Sequence, residues 1–290
     1  MDIITFLISV YCLVDDWIDD QRLRQRGPQP ILSDAEVLTM EIVGEYLGID
    51  TEVGLYRFFR RHYADWFPNL SRVHRTTFTR QMANLWRVKQ LLWQELVAGL
   101  PQDPLISVVD SFPVPVCRFA RAPRCQLFKG QASYGHDEVA KQTYYGFRAH
   151  VRLQWPGILA DVCLAPAHIH DTRVAEDLLA GQCGWALGDR NYWKPELMED
   201  LRQQGLHLLA PYRSAKREPF RFPKALTHMR YRIETVIGQL VERFHIKKVW
   251  ARDLWHLTSR WMRKLLSHTV AVFFCFQTGL TPLSLAKLVH

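Results

Sequence analysis

The first hundred residues carry apolar side chains at the three- and four-residue spacing of amphipathic helices. The segment SDAEVLTMEIVGEYLG (33–48) opens with the S-x-x-E pattern of a capping box and closes at a glycine. The same spacing predicts a second helix over 51–63 and a third from about residue 76 to residue 100. Pro101 and Pro104 then interrupt the pattern and predict a domain boundary.

From residue 105 onward, apolar residues alternate with polar ones, as is typical of β-strands. In YGFRAHVRL, apolar residues alternate with Arg148, His150 and Arg152, which predicts a half-buried strand. Strands are predicted at 105–110, 145–153, 158–164, 184–188 and 206–210. The second and third of these form a hairpin, and the first is the expected antiparallel neighbour.

Helices are predicted between the later strands, from Asp171 and from Pro195. The order of elements is therefore three strands, a helix, a strand, a helix and a strand, followed by long helices. That order predicts an α/β fold with a mixed sheet and helices packed against it. We place an all-α domain over 1–102, the α/β domain over 103–250, and C-terminal helices packed on the α/β domain over 251–290.

Three carboxylates occupy positions where a charge needs an explanation. Asp110 and Asp189 each follow an apolar strand, and Glu234 lies between Ile233 and Ile237 in a helical stretch. If the two strands are adjacent, their aspartates lie close together at one edge of the sheet. An acid among core-facing residues is costly unless it is paired or bound to a metal. Taken singly, these acids also suit a turn, a loop charge and a partner of Arg230.

Three oxygen ligands of this kind suit Mg²⁺ or Mn²⁺. Two such ions would activate a hydroxyl nucleophile and stabilise the leaving oxygen in a phosphoryl transfer. PAHIHD offers a different metal cluster, with His168 and His170 beside Asp171, but Asp171 suits a helix cap and we favour a loop beside the active site.

The chain has 37 lysines and arginines against 29 acids, a formal net charge of +8, which favours a polyanionic partner. The helix over 51–63, with its basic residues, fits the second helix of a helix-turn-helix or, equally, a solvated basic face. The candidate DNA-binding residues are Arg57, Arg60, Arg61, Arg75, Arg148, His150, Arg152, Arg190, Lys247 and Lys248.

The six cysteines show no paired spacing, which indicates reduced thiols in a cytoplasmic protein. Cys117 and Cys125, with His136 or His150, offer a less favoured zinc site. The apolar stretches at 3–14 and 265–280 are too short to span a bilayer, so core helices are expected there.

The order of five segments resembles the DDE transposases of bacterial insertion sequences. These segments are SVVDSFPVPV, YGFRAHVRL, PAHIHDTRVAEDLL, ALGDRNYWKPELMEDLRQQGLHLLAPYR and RYRIETVIGQLVERF. The resemblance implies a ribonuclease-H-like catalytic domain after a helical DNA-binding domain, with a metal-binding triad at Asp110, Asp189 and Glu234. Many relatives carry a Y-x2-R-x3-E-x6-K pattern around the glutamate. Arg230 matches its arginine, whereas Thr227 and Val241 replace its tyrosine and lysine.

The resemblance thus implies an enzyme that binds terminal inverted repeats, cleaves DNA to free 3′-OH ends and joins them to target DNA. Mg²⁺ is the expected cofactor, with Mn²⁺ as a substitute, and a homodimer on double-stranded DNA is the expected assembly. The expected location is the bacterial cytoplasm, in association with the nucleoid. Two alternatives remain open: a metal-dependent nuclease without strand transfer, and a catalytically inactive DNA-binding regulator derived from a transposase.

Overall fold

The computed structural model describes residues 1–21, 29–212 and 223–290 of the 290-residue chain. The described helices are α1 (Ile3–Gln21), α2 (Asp34–Tyr46), α3 (Glu52–His62), α4 (Arg75–Asn84), α5 (Trp86–Gly99), α6 (Asp171–Leu178), α7 (Pro195–Gln203), α8 (Lys224–Gly238) and α9 (Leu254–Gln277). The described strands are β1 (Asp103–Arg118), β2 (Ser133–Asp137), β3 (Gln142–Trp155), β4 (Ile158–Pro166), β5 (Gly184–Leu187) and β6 (Leu206–Leu209).

The chain divides into two compact units. Unit 1 comprises Met1–Gly99, Leu240–Ile246 and Asp253–His290, and unit 2 comprises Leu100–Gln239 and Lys247–Arg252. Residues 251–290 were expected from the sequence to pack on the α/β domain. The C-terminal helix α9 belongs instead to the same unit as the N-terminal helices. The reason is that α9 packs against α2, α4 and α5.

Local signals account for α2 and α3. Ser33 Oγ accepts from the N–H of Glu36 (3.0 Å), and the Glu36 carboxylate accepts from the N–H of Ser33 (2.7 Å), which completes the capping box. Gly48 turns the chain with φ +80°, and Thr51 then caps α3 by accepting from the N–H of Gly54 (3.0 Å). These two predicted helices are confirmed.

The third predicted helix is broken into α4 and α5 at Leu85. In an unbroken helix the Met82 carbonyl would accept from the N–H of Trp86. Among the described residues it accepts from Lys89 Nζ (3.0 Å) and Ser259 Oγ (3.0 Å). Side chains from α5 and α9 thus take up a carbonyl that the helix ladder would otherwise use.

A buried ionic network joins α2, α5 and α9 within unit 1. Lys89 is fully buried, and its ammonium lies 2.8 Å from the Glu41 carboxylate. Glu45, also fully buried, pairs with Arg263 (2.5 Å) and Lys264 (2.9 Å) of α9. Burial raises the pKa of Glu41 and lowers that of Lys89, while their mutual attraction opposes both shifts. The apolar-looking end of the chain therefore carries charges that α2 neutralises.

The sheet of unit 2 is mixed. β1 pairs antiparallel with β3 on one edge and parallel with β5 on the other, and β6 pairs parallel with β5. β4 pairs antiparallel with Phe147–Gln154 of β3, and β2 with Gln142–Gly146, so both occupy the edge of β3 that faces away from β1. The predicted hairpin and its third strand are confirmed, although β1 continues past Asp110 to Arg118 and β2 was not predicted.

Helices cover this sheet. The core between α6, α7 and the sheet contains Val109, Ala175, Leu178, Leu179, Ala186, Tyr192, Leu197, Leu201, Leu206 and Leu208. α8 lies against β1. The structure confirms the predicted α/β class, a mixed sheet flanked by helices after an N-terminal helical region. In the part of the chain that is described, no helix combines the length and apolarity needed to cross a bilayer.

The ionic network gives a stability prediction. Lys89→Met leaves the Glu41 carboxylate buried without its cation, so we expect the free energy of unfolding to fall by about 3–5 kcal/mol. Urea denaturation measures the loss. The matched control is Arg87→Gln on the exposed side of α5, which should change the value by less than about 0.5 kcal/mol. Similar losses in both variants would show that the buried pair has no special weight.

Candidate functional site

The parallel pairing of β1 with β5 brings Asp110 and Asp189 together. In this register Val108 lies opposite Leu187. Asp110 comes two residues after Val108, and Asp189 comes two residues after Leu187, so the aspartates stand at equivalent places where β5 ends. The two strands are adjacent, which meets the condition under which the two aspartates were expected to lie together.

The GDRNY segment shapes the turn that carries Asp189. A side chain at Gly188 would place its Cβ 2.9 Å from Tyr192 Cβ, so only glycine lets the Tyr192 ring lie this close. Asp189 caps a single turn over Arg190–Tyr192, its two carboxylate oxygens accepting from the backbone N–H (2.9 Å) and side-chain amide (3.1 Å) of Asn191. The turn thereby holds the Asp189 carboxylate in place.

Electrostatics couple the two aspartates. Burial, and next the charge of Asp189, raise the pKa of Asp110 from its ordinary 3.8 to about 7. The N–H of Ser111 donates to Asp110 Oδ1 at 2.7 Å and opposes this shift. Burial also raises the pKa of Asp189. Two acids in such a setting favour a nearby cation.

Arg230 of α8 supplies one cation. Its charge lowers the pKa of both Asp110 and Asp189, against the larger effect of burial. Arg230 Nη2 also lies 4.0 Å from Glu234 Oε1, one helical turn further along α8. Arg230 thus interacts with all three acids of the predicted triad.

Glu234 itself does not occupy the expected core-facing position. Its side chain is 55% exposed, and the inward positions of α8 are taken by Ile233 and Val236. Across the described residues, no three histidine, cysteine, aspartate or glutamate side chains lie close enough to hold a metal ion. The structure therefore brings Asp110 and Asp189 together and leaves Glu234 outside their group. It also does not form the alternative zinc site at Cys117 and Cys125.

The two aspartates alone provide a donor set that fits a divalent ion. Mg²⁺ prefers carboxylate oxygens, and one or two carboxylates with waters and substrate phosphates usually complete its shell. A divalent cation held by these aspartates would favour the ionised form of Asp110, which burial and then the charge of Asp189 disfavour.

Asp171 is a buried acid whose role the sequence did not indicate. Its carboxylate accepts from Ser111 Oγ (3.0 Å) and lies 3.5 Å from Arg148 Nη1 and 3.6 Å from His150 Nδ1. Asp171 was expected to cap α6, but the cap is His170, whose Nδ1 accepts from the N–H of Thr172 (3.3 Å). Asp171 thus braces β1 beside Asp110. The sequence did place Arg148 and His150 on one face of a strand. If a helix covers that face, these polar side chains need an acidic partner, and Asp171 is that partner.

Tyr192 is a second residue that sequence reasoning missed. Its side chain is fully buried, and its hydroxyl has no hydrogen-bond partner among the described residues. Burial, followed by the charges of Asp171, Asp110 and Asp189, raises its pKa well above the ordinary value. The hydroxyl therefore stays protonated and neutral, and three carboxylates lie within electrostatic range of it.

Two of the candidate DNA-binding residues of β3 are buried. His150 is 1% and Arg152 is 7% exposed, so neither lies on the open strand face that the alternation predicted. α6 packs on this face, where Arg148 pairs with Asp171, while Arg152 lies 3.9 Å from Asp161. Burial lowers the pKa of His150 to about 4, which keeps the imidazole neutral.

The remaining candidates lie at the surface of their units. Arg190 and Lys248 are exposed and Lys247 is half-buried in unit 2. In unit 1, Arg57, Arg60, Arg61 and Arg75 are exposed and line one cavity with Tyr56 and His74.

Comparison with known proteins places this arrangement in a family. Residues 101–253, which contain Asp110, Asp189 and Glu234, match the family model described as a transposase DDE domain. No curated protein matches the chain in sequence. A piggyBac transposase, solved as a synaptic complex with hairpin DNA, is similar with a TM-score of 0.45 and 10% identity over 97% of this chain and 76% of that chain. The DDE transposase family generally uses a divalent metal. Because the family model covers more than half of the chain, the protein belongs to the transposase DDE domain family.

Proposed function

We propose that the protein is a DNA transposase that cleaves DNA at terminal inverted repeats and joins the freed 3′-OH ends to target DNA. The observation that carries the proposal is the β1–β5 register, which sets Asp110 beside Asp189 in a chain of this family. Phosphoryl transfer of this kind needs charge stabilisation at the attacking and leaving oxygens more than it needs a covalent intermediate.

Divalent ions, Mg²⁺ or Mn²⁺, would supply Lewis acidity and an activated oxygen nucleophile when bound. Asp110 and Asp189 are the proposed ligands, and Glu234 of the neighbouring helix α8 is the proposed third. The chain itself orients these ligands. Ser111 and Asn191 donate to the two aspartates, and Asp171 in turn accepts from the Ser111 hydroxyl.

Arg230 is proposed to balance charge and position the phosphate. It interacts with both aspartates and with Glu234, so a bound phosphate that attracted its guanidinium would release Glu234 for the metal. Tyr192 packs in the core of unit 2 within electrostatic range of both aspartates, and its neutral hydroxyl, which has no hydrogen-bond partner among the described residues, is a donor available to the site.

The proposed partner is double-stranded DNA, bound by a homodimer that holds two element ends. The positive formal charge of +8 supports association with a polyanion, and the basic side chains of α3 and α4 support contacts to the duplex. The proposed setting is the bacterial cytoplasm, at the nucleoid.

One observation favours a second candidate. Glu234 is 55% exposed and stands outside the aspartate pair, so the described residues do not form a three-carboxylate site. The second candidate is therefore a DNA-binding regulator derived from a transposase, without cleavage. Catalysis by purified protein decides between the two.

The first test uses labelled duplexes that carry the DNA flanking the gene, incubated with protein and Mn²⁺. Asp110→Asn, Asp189→Asn and Glu234→Gln should each reduce cleavage and strand joining by more than about 100-fold, since even indirect metal partners are worth 10–100-fold. Asp200→Asn, at an exposed position of α7, is the matched control and should retain activity.

The outcomes separate the candidates. Cleavage without joining would indicate a nuclease. Binding without cleavage by every variant, wild type included, would select the regulator. Equal cleavage by Glu234→Gln and wild type would remove Glu234 from the site and leave the aspartate pair in it.

The raised pKa of Asp110 gives a pH prediction for the metal-free protein. Because folding raises this pKa from 3.8 to about 7, the folded state holds its proton more tightly, and stability from this group falls as pH rises from about 4 to 7. The fall is at most about 4 kcal/mol. Urea denaturation of wild type and Asp110→Asn across this range should show a steeper fall in wild type, because the raised pKa of Asp189 contributes in both proteins. Identical pH profiles would contradict the prediction.

Millimolar Mg²⁺ should raise the melting temperature of wild type more at pH 8 than at pH 6, because Asp110 must be ionised to bind the ion. Asp110→Asn should show little of this increase. An equal increase in both proteins would place the ion elsewhere.

A further inference from the structure

One cavity in unit 1 is lined by cations. Tyr56, Arg57, Arg60 and Arg61 of α3 line it together with His74 and Arg75, at the N-terminal end of α4. Four arginines thus line one open space, and no acidic residue of the described part of the chain lines it. Like charges gathered in a concavity raise the free energy of the empty site and favour an anion.

The cations of this cavity differ from the other clustered cations of unit 1. Lys89, Arg260, Arg263 and Lys264 are paired with acids. Among the described residues, no acid pairs with Arg57, Arg61 or Arg75 within 4.0 Å. The paired cations belong to the interior of unit 1. The arginines of the cavity are exposed to solvent.

The cavity is also partly preorganised. Tyr56 is buried and its hydroxyl donates to the carbonyl of Val73 (2.9 Å), so the floor is tied to the segment before α4. Arg60 Nη1 donates to the Tyr56 hydroxyl (3.2 Å), and its guanidinium lies 5.8 Å from the ring centroid. These contacts orient the Arg60 guanidinium and leave it with donors for a ligand.

The position of these residues on α3 bears on what they bind. In a helix-turn-helix, the N-terminal residues of the second helix contact base edges. Here Glu52, in the first turn of α3, pairs with Arg260 and lies 3.8 Å from Arg263, so that turn is committed to the interior. The arginines of α3 lie in the second half of the helix and line a concave surface. A helix that reads base edges instead presents its first turn to the groove.

We infer that this cavity binds a phosphate of the DNA backbone and positions the duplex without reading its sequence. The inference rests on the proposed action on DNA and specifies the chemical group that unit 1 contacts. Arginine forks match the oxygens of a phosphodiester with paired charge-assisted hydrogen bonds. Such contacts set register and orientation, whereas contacts to base edges carry specificity.

The test compares wild type with Arg57→Gln, Arg61→Gln and Arg75→Gln, using duplexes with the element end or a scrambled sequence. Dissociation constants are measured by fluorescence anisotropy from about 50 to 200 mM salt. Each substitution should weaken binding to both duplexes by the same factor. Each should also reduce the slope of log K against log salt by about 0.9. Arg87→Gln, an exposed arginine of α5 that donates to Gln90, is the matched control and should leave slope and affinity unchanged.

A neutral backbone position identifies the contacted group. A duplex with one methylphosphonate at the contacted phosphate should bind wild type as weakly as the normal duplex binds Arg61→Gln. The two changes together should cost no more than either alone, because they remove the same contact.

Three results would overturn the inference. Unchanged salt slopes in the arginine variants would exclude the contact, and a change in the ratio of affinities for the two duplexes of more than about tenfold would indicate base readout. Calorimetry with inorganic phosphate is the third arm. Tight binding that the variants lose, without any change in DNA slope, would assign the cavity to a small phosphate ligand.

Failure of this inference is separable from failure of the proposed function. If wild type cleaves and joins DNA while the arginine variants match it in salt slope, only the cavity assignment is wrong. If wild type binds neither duplex, both proposals are wrong. Asp189→Asn should keep the full salt slope, because it lies in unit 2 and contributes no cation.

Discussion

The parallel register between β1 and β5 is the constraint on which the candidate site depends. With Val108 opposite Leu187, the chain places an aspartate two residues further along each strand. A slip of one residue would send one of the two side chains to the other face of the sheet, because successive side chains alternate. Gly188 protects this arrangement, since it lets the Tyr192 ring close the turn behind Asp189.

The cost of this placement is electrostatic. Asp110 and Asp189 share a partly buried place, and Asp171 adds a third negative charge within electrostatic reach. Two arginines partly neutralise these charges: Arg230 interacts with the aspartate pair, and Arg148 pairs with Asp171. What remains is an excess of negative charge at Asp110, which a divalent cation suits better than another side chain. This excess of negative charge supports the proposed divalent metal at Asp110 and Asp189.

In unit 1 the buried charges to be compensated include lysines and arginines, and acidic side chains pair with them. Its interior pairs the cations of α5 and α9 with acids of α2 and with Glu52, and this pairing ties the two ends of the chain into one helical unit. At its surface, arginines line a cavity to which the described residues contribute no acid. A buried charge needs its partner, since removing either one leaves the other uncompensated in the interior. Exposed charges of one sign attract an oppositely charged ligand, which supports the proposed contact with a polyanion.

The sequence alone determined the features that arise from neighbouring residues. The capping box and Gly48 set the ends of α2, and alternation set the hairpin of β3 and β4. The two aspartates were found because each follows an apolar strand. Tertiary structure decided what covers each face. It buried His150 beside Asp171 of α6, buried Arg152 near Asp161 of β4, turned Glu234 outward and placed α9 in unit 1. These outcomes depend on contacts between residues far apart in the chain, and local pattern carries no information about which distant element supplies the partner of a charge.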